Sequence, residues 1–516
     1  MNEAAALVDR GIALAGEGRL VEALEAFDAA VAASPRTAEA HLGRSKVLAA
    51  LGRADEAMDA FDQAVSVDPA VTHADRARVA FEGGQLEAAL AAHIEAARAD
   101  PDNPRYQLDT GAVLLAAGRW SDALDAFNRA VQLAPTLAVA HAGRSEALRE
   151  LGHLDAALAA LDRATTLDPR NPRMHVRRAS LLLSLHRPTD ALAAADRTLD
   201  LDHRIARAHY WRARALADLG RMSDARAAAE AARAEDPNDT DVLALLTVLL
   251  ASEGRLDDAL AVSAEALAIA PEQPAHHADR AMVLYAAARY EDALAGYTHA
   301  ADLAPAVAAY ERGRGLCLFA LGRVDEAVAA FDRVVELEPG SAAAHAARAA
   351  ALEAAGRLAE AALAAVQALS CDPNHVMAHT VRGTIALRLG DPASAEQSFR
   401  AAVDGAGEQP LVPLVLAGVA AWGQGAADRA RGYFEAALEL ATGSTAGRVP
   451  TWAAAEARAI ALVASGRADE AVDTLRAARP LRRPGDRPNR AAFDTLANGP
   501  LPQPGGLERV RRLAED

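Results

Sequence analysis

Lysine is nearly absent from this chain of 516 residues: Lys46 is the only one, and arginine does the rest of the basic work. We read that bias as the mark of a GC-rich genome rather than of a function. Basic charge is also outweighed, with 54 Lys and Arg against 71 Asp and Glu, a net charge of −17. General nucleic-acid binding needs a basic track that displaces counterions, so this balance argues against it. Two cysteines, Cys317 and Cys371, are too few for a disulfide framework. Cys317 falls inside a helical pattern, which predicts a buried free thiol. Aromatics are 4% of the chain, so interior contacts must be built from small and aliphatic side chains. Long hydrophobic runs are missing too. The longest uncharged stretch, Gln409 to Ala427, is broken by Pro410, Pro413, Gly418, Gly423 and Gly425. A spanning helix needs about 20 mostly apolar residues, so no membrane insertion is expected. Helical patterning begins at Ala4, which predicts no secretory signal and a soluble, cytoplasmic chain. There is no phosphate loop, GxSxG elbow, HExxH or CxxC. No catalytic, cofactor-binding or metal-binding residue is therefore predicted, and the chain is not expected to be an enzyme.

What is present is alanine, and a repeat. Residues Ala38 to Val71 hold two amphipathic runs around a Leu-Gly-Arg turn, closed by an Asp-Pro. The closing proline recurs at Pro35, Pro69, Pro101, Pro135, Pro169, Pro237, Pro271, Pro305, Pro339 and Pro373, mostly 34 residues apart. His203 holds the frame where proline is missing. Seventeen residues earlier stands a glycine in most units, with His186 and Ala288 as exceptions. Twelve residues before the closing position every unit has alanine, from Ala23 and Ala57 through to Ala361 and Ala395. Extra methylenes in a tight interface cost about 1–3 kcal/mol, so an invariant methyl marks a close approach of two helices. Eight residues before the closing position an aromatic often appears: Phe27, Phe61, Phe127, Tyr297, Phe331 and Phe399.

This pattern resembles the tetratricopeptide repeat, whose marks are a 34-residue period with small residues at positions 8 and 20, an aromatic or Leu at 24, Ala at 27 and Pro at 32. The resemblance implies an all-α fold: a right-handed superhelical solenoid of antiparallel helix pairs, with first helices lining a concave face. About 14 tandem repeats are expected. Residues 1–409 hold twelve regular units, 410–444 a degenerate one, 445–451 a Gly/Ser/Thr-rich spacer and 452–480 a last repeat. Residues 481–516 read as a Pro/Arg/Gly-rich tail with a possible short terminal helix. We expect this tail to be flexible rather than to fold back through Phe493, Leu496 and Leu507.

Three constellations stand out. Histidine recurs at position 4 (His41, His141, His175, His209, His277, His345 and His379). Successive rungs are too far apart to share a metal ion, whose ligands converge within about 2 Å, so a packing role is predicted. Arginine recurs at position 7. An intra-repeat ion pair with position 25 is expected, joining Arg10 to Asp28, Arg44 to Asp62, Arg144 to Asp162, Arg178 to Asp196, Arg212 to Glu230 and Arg314 to Asp332. The third is on the concave face of units five to seven, where the family pattern places Arg149, Arg173, Arg177, Arg207, Tyr210, Trp211 and Arg214. Arg and aromatics are favoured hot-spot residues, and Arg forks suit carboxylates. A docking site for an acidic peptide or chain terminus is the sharper reading; an Arg face neutralised by neighbours such as Glu146 and Glu150 is the plainer one. The predicted function is a non-catalytic protein–protein interaction scaffold binding peptide segments or partner subunits. A regulatory or assembly subunit of a larger enzyme complex is the alternative, and an RNA-binding helical repeat a lesser one.

Overall fold

The structure, a computed structural model, describes residues 3–67, 73–99, 101–407, 410–443, 451–482, 489–497 and 504–515. Pro69, the boundary at 409, the spacer up to Pro450, and Pro484, Pro488, Pro500 and Pro502 lie outside them. The described residues form α-helices, with one 3-10 turn at Arg479–Leu481 and no strand. They fall into two compact units, Met1–Pro237 and Asn238–Asp516. Within each, a helix packs against the next in antiparallel pairs, and pairs stack on their neighbours. This is the all-α solenoid of the tetratricopeptide type. Among the described residues no helix is long and apolar enough to cross a membrane.

The turn inside each pair explains the recurring glycine. In repeat two, Gly52 takes φ 74°. Its N–H donates to Ala49 O at 2.9 Å, and Arg53 N–H donates to Leu48 O at 2.9 Å. These two bonds satisfy the last carbonyls of the first helix in a Schellman closure, which needs a left-handed residue. His186 and Ala288 keep the same geometry, at φ 54° and 57°, against the Cβ penalty. The residue after the turn is usually Arg, and it bridges three residues ahead to a carboxylate in the first turn of the second helix. Arg53–Glu56, Arg255–Asp258 and Arg357–Glu360 all meet at 2.6 Å. The carboxylate sits where the helix dipole favours negative charge.

The invariant alanines are the floor of each pair. All twelve are buried to 1% exposure or less. Ser45 and Ser145 at position 8 donate across to the carbonyls of Ala57 and Ala157 at 2.8 and 2.7 Å, so the two backbones nearly touch there. The aromatic of position 24 is clamped between glycines. Phe127 lies between Gly111 of its own repeat and Gly143 of the next, and a Cβ on either would come within 3 Å of the ring. Phe27 sits the same way between Gly11 and Gly43. Where position 24 shrinks to Ala195, Trp211 of the following repeat packs into the same cluster. Burying the aromatic matters more than which repeat supplies it.

The histidine ladder has one structural explanation. All seven rings bond through Nε2 to the carbonyl of the closing residue six positions back, from His277 to Pro271 O at 2.7 Å to His175 to Pro169 O at 3.1 Å. A carbonyl only accepts, so each ring carries its proton on Nε2. The bond fastens the closing loop to the helix that follows.

The arginine column is built differently from expectation. Among the described residues position 7 forms no ion pair with position 25 of its own repeat; four times it reaches back to an Asp at position 25 of the preceding one, while Arg314, opposite Thr298 and not paired with Asp332, bridges Glu311 of its own helix at 3.1 Å. Arg44 bridges Asp28 at 2.6 Å, Arg178 bridges Asp162 at 2.7 Å, and Arg212 bridges Asp196 at 2.7 Å. Arg348 pairs with Asp332 in the same way. A first helix packs on two second helices, its own and the one before, and position 7 faces the earlier. Where that earlier position is Ala264 or Val366, Arg280 turns instead to Leu260 O and Ser263 Oγ, and Arg382 to Ser398 Oγ. Opposite Asn128, the Nε of Arg144 is buried with no partner.

The described parts of the tail are not loose. Phe493 and Leu496 are fully buried and Leu507 nearly so, in one core with repeats thirteen and fourteen. Helix Arg490–Ala497 packs on the first helices Val376–Arg388 and Leu411–Gly423, and helix Pro504–Glu515 covers the last pair, Trp452–Ala464 and Ala468–Ala478. A stack of helix pairs leaves an apolar end, which helix Pro504–Glu515 covers, while Phe493 and Leu496 cover apolar surface of the first helices; the described parts of the tail are therefore folded where a flexible tail was expected.

Candidate docking surface

The arginine and aromatic patch lies on three first helices of the Met1–Pro237 unit: Ala138–Glu150, Pro172–Ser184 and Ala206–Asp218. Pro172 at the start of the second of these removes an N–H that would lack a partner, and Asn171 precedes it as N-cap. The patch is thus carried on rigid elements. On Ala206–Asp218 four of the predicted residues form one cluster. The Arg207 guanidinium stands 4.9 Å from the Tyr210 ring centroid and 5.8 Å from that of Trp211. The two rings meet edge to face at 4.7 Å. Arg214 Nη1 donates to the Tyr210 hydroxyl at 3.2 Å.

The cluster divides the roles. Tyr210 is buried, at 7% exposure, and acts as the post on which both guanidiniums rest. Trp211 is half-buried, its inner part filling the space beside Ala195. Arg207 and Arg214 remain exposed. On the neighbouring helix Pro172–Ser184, which packs against Ala206–Asp218, Arg173 and Arg177 are exposed and enter no ion pair among the described residues. Arg149 differs. It is held by Glu146 at 2.6 Å and by Glu150, and the Glu146 carboxylate raises its pKa further. Its charge is spent within its own helix. A shallow recess of about 410 Å³, lined by Asp162, His175, Arg178 and Arg197 among others, contains none of the seven residues.

A second group, in the Asn238–Asp516 unit, was not singled out by the sequence. Asp279 is half-buried with no ion pair among the described residues, and burial pushes its carboxyl up to about 6. Burial raises the nearby Tyr297 and Tyr310 phenols, with smaller contributions from Asp279, and lifts the Cys317 thiol to about 12. The thiol is fully buried and inert by that measure. The available signal was position: Asp279 stands at the sixth position, where Gly43, Gly143 and Gly313 lie flush against an aromatic ring.

Two family models described as tetratricopeptide repeat match the chain. One matches residues 4–71, 74–138, 176–240, 212–274, 278–342 and 415–486; the other matches 114–181 and 318–385. No curated protein matches. Among solved structures, a tetratricopeptide repeat protein from Parabacteroides merdae is similar over 48% of this chain and 97% of its own, at 17% identity and TM-score 0.41. YrrB, described as a TPR protein with an unusual peptide-binding site, is similar over 36% of this chain and 95% of its own, at 19% identity and TM-score 0.31. The Cut9–Hcn1 hetero-tetramer of APC/C is similar over 100% of this chain and 97% of the matched one, at 12% identity and TM-score 0.42. Anchors, helix pairs and family models agree along most of the sequence: the chain belongs to the tetratricopeptide repeat family and has the architecture of a protein-interaction scaffold.

Proposed function

We propose that this protein is a non-catalytic scaffold that docks an acidic peptide segment or chain terminus on the first helices of repeats six and seven. The observation that carries the reading is the pair Arg173 and Arg177, exposed and without ion pairs among the described residues in a protein of net charge −17. In such a chain most guanidiniums find a carboxylate within reach. Two that do not, beside the Arg207–Tyr210–Trp211–Arg214 cluster, present forks suited to bidentate carboxylate recognition. Trp211 adds apolar area at the rim. Because the backbone beneath is helical, ordering costs on binding are small. Arg149 contributes little, since Glu146 and Glu150 already occupy it.

The test uses fluorescein-labelled peptides rich in Asp and Glu, with neutral Asn/Gln analogues, titrated by anisotropy against the full chain. Acidic peptides should bind at least tenfold more tightly than the analogues. The Arg173→Glu, Arg177→Glu, Arg207→Glu, Arg214→Glu variant should lose that difference, and rising salt should erode it in the parent. Equal binding of acidic and neutral peptides, or undiminished binding by the variant, refutes the proposal.

A further inference from the structure

Position 9 of the first helix shows which parts of the inner face are open. At that position Ile12 is 59% exposed, Val248 42% and Leu316 43%. The same position in the last two repeats holds Val419 and Ile460, which are 0% and 2% exposed. What covers that end of the chain is its own tail. Helix Arg490–Ala497 lies across two successive first helices, Val376–Arg388 and Leu411–Gly423, rather than against a second helix. Thr495 packs so closely on Gly423 that a Cβ there would come 2.8 Å from Thr495 Cγ2. Phe493 and Leu496, one turn apart, point into the core this creates. The start of the helix is held by a buried side chain from a third first helix: Glu456, 7% exposed, accepts the backbone N–H of Asn489 at 2.9 Å. Asn489 in turn caps the helix through Oδ1 to Ala492 N–H at 3.1 Å.

A short amphipathic helix, presenting a Phe-x-x-Leu pair and held at its N-terminus by a buried carboxylate, is the form of a ligand seated in a groove. We propose that residues 489–497 are an intramolecular ligand of the inner face of repeats twelve to fourteen, and that the surface beneath them docks an amphipathic helix of a partner protein carrying the same Phe-x-x-Leu pair, in exchange with the tail. The sequence on either side is rich in proline, a residue unfavourable in a helix interior, with Pro480, Pro484 and Pro488 before the segment and Pro500, Pro502 and Pro504 after it. Besides Glu456, Arg511 bridges Asp494 at 2.9 Å. This site is independent of the arginine surface proposed above.

The experiment uses the full chain and a fluorescein-labelled peptide of residues 488–498. The parent should bind it weakly, and Phe493→Asp, Leu496→Asp, which releases the tail helix, should bind it at least tenfold more tightly. A peptide with the same two substitutions should not bind either protein. Hydrogen exchange in the parent gives the second reading. Amides of 490–497 should exchange at least tenfold faster than those of Leu411–Gly423. No tighter binding by a variant that keeps its helices overturns the proposal. So does exchange of the tail and of Leu411–Gly423 at one common rate, which would make the segment a fixed cap; if the variant loses repeats twelve to fourteen, that exchange comparison decides.

Discussion

Adding one methyl group at Gly143 should test the clamp that sets repeat spacing. Gly143 lies mid-helix in Ala138–Glu150. There alanine is favoured over glycine by about 1 kcal/mol on helix propensity alone. The new Cβ, however, would stand 2.6 Å from Phe127 Cζ, and the ring cannot retreat because Gly111 closes its other side. Overpacking a fixed core costs about 1–3 kcal/mol, so strain offsets or outweighs propensity and Gly143→Ala should destabilise by up to about 2 kcal/mol net. Replacing the ring reverses the sign. In the Phe127→Leu background, itself weaker by about 1 kcal/mol, space opens and only propensity remains, so Gly143→Ala should be neutral or stabilising. The chain already contains that arrangement, with Leu161 at position 24, Ser145 at position 8 and Arg177 at position 6 of the next repeat. Urea unfolding followed by circular dichroism gives the sign. Hydrogen exchange in Ala138–Glu150 localises it, because a long repeat array need not unfold in one step. An equal loss in both backgrounds would refute the clamp.

Ala288→Gly should stabilise by about 0.5–1 kcal/mol, read as a higher urea midpoint, because the residue already sits at φ 57° where a Cβ is penalised. Arg178→Ala and Asp162→Ala should couple by about 0.5–1 kcal/mol in a double-mutant cycle and lose that coupling at 1 M salt, about three times less screening length than at 0.1 M; Arg178→Ala with Asp196→Ala should show none, since the bridge runs to the preceding repeat. Asp279→Asn should stabilise at neutral pH. Burial raises the folded pKa of Asp279 to about 6 from 3.8, so its destabilising effect is absent below about pH 3.8, grows as pH rises and is complete above about 6. Allowing for its partial exposure, the gain at pH 7 to 8 should be about 1–2 kcal/mol, shrinking toward zero at pH 4, and a pH-independent difference in urea midpoint would contradict the assignment.

The repeat and its fold were legible because each anchor is a local requirement. A left-handed turn asks for glycine, a close backbone approach for alanine, a helix start for a carboxylate or proline, and all recur at fixed spacing. The histidine ladder was also readable as packing, although its acceptor, a carbonyl six residues back, was not. The arginine pairing went astray by one repeat for a geometric reason. A first helix touches two second helices, and periodicity alone makes spacings of 16 and 18 residues look equally good. Only packing chose Asp162 rather than Asp196 as the partner of Arg178.

The patch shows the same division. Sequence pattern put Arg173, Arg177, Arg207, Tyr210, Trp211 and Arg214 on one face, but not which of them were already engaged. The structure buries Tyr210 as a support and leaves Arg149 held by its own helix. Composition after Pro480 suggested a flexible tail, since the prolines and glycines there disfavour long helices. It did not show that Phe493 and Leu496 would find an apolar surface, because that surface is assembled from first helices lying far earlier in the chain, Val376–Arg388 and Leu411–Gly423. What the sequence by itself determined was everything periodic: helix, turn, pair and stack follow from residues within one 34-residue unit and its neighbour. What tertiary structure decided were the choices between equivalent partners and the fate of the non-repeating end. Those depend on which surfaces meet in space, and no local propensity encodes that.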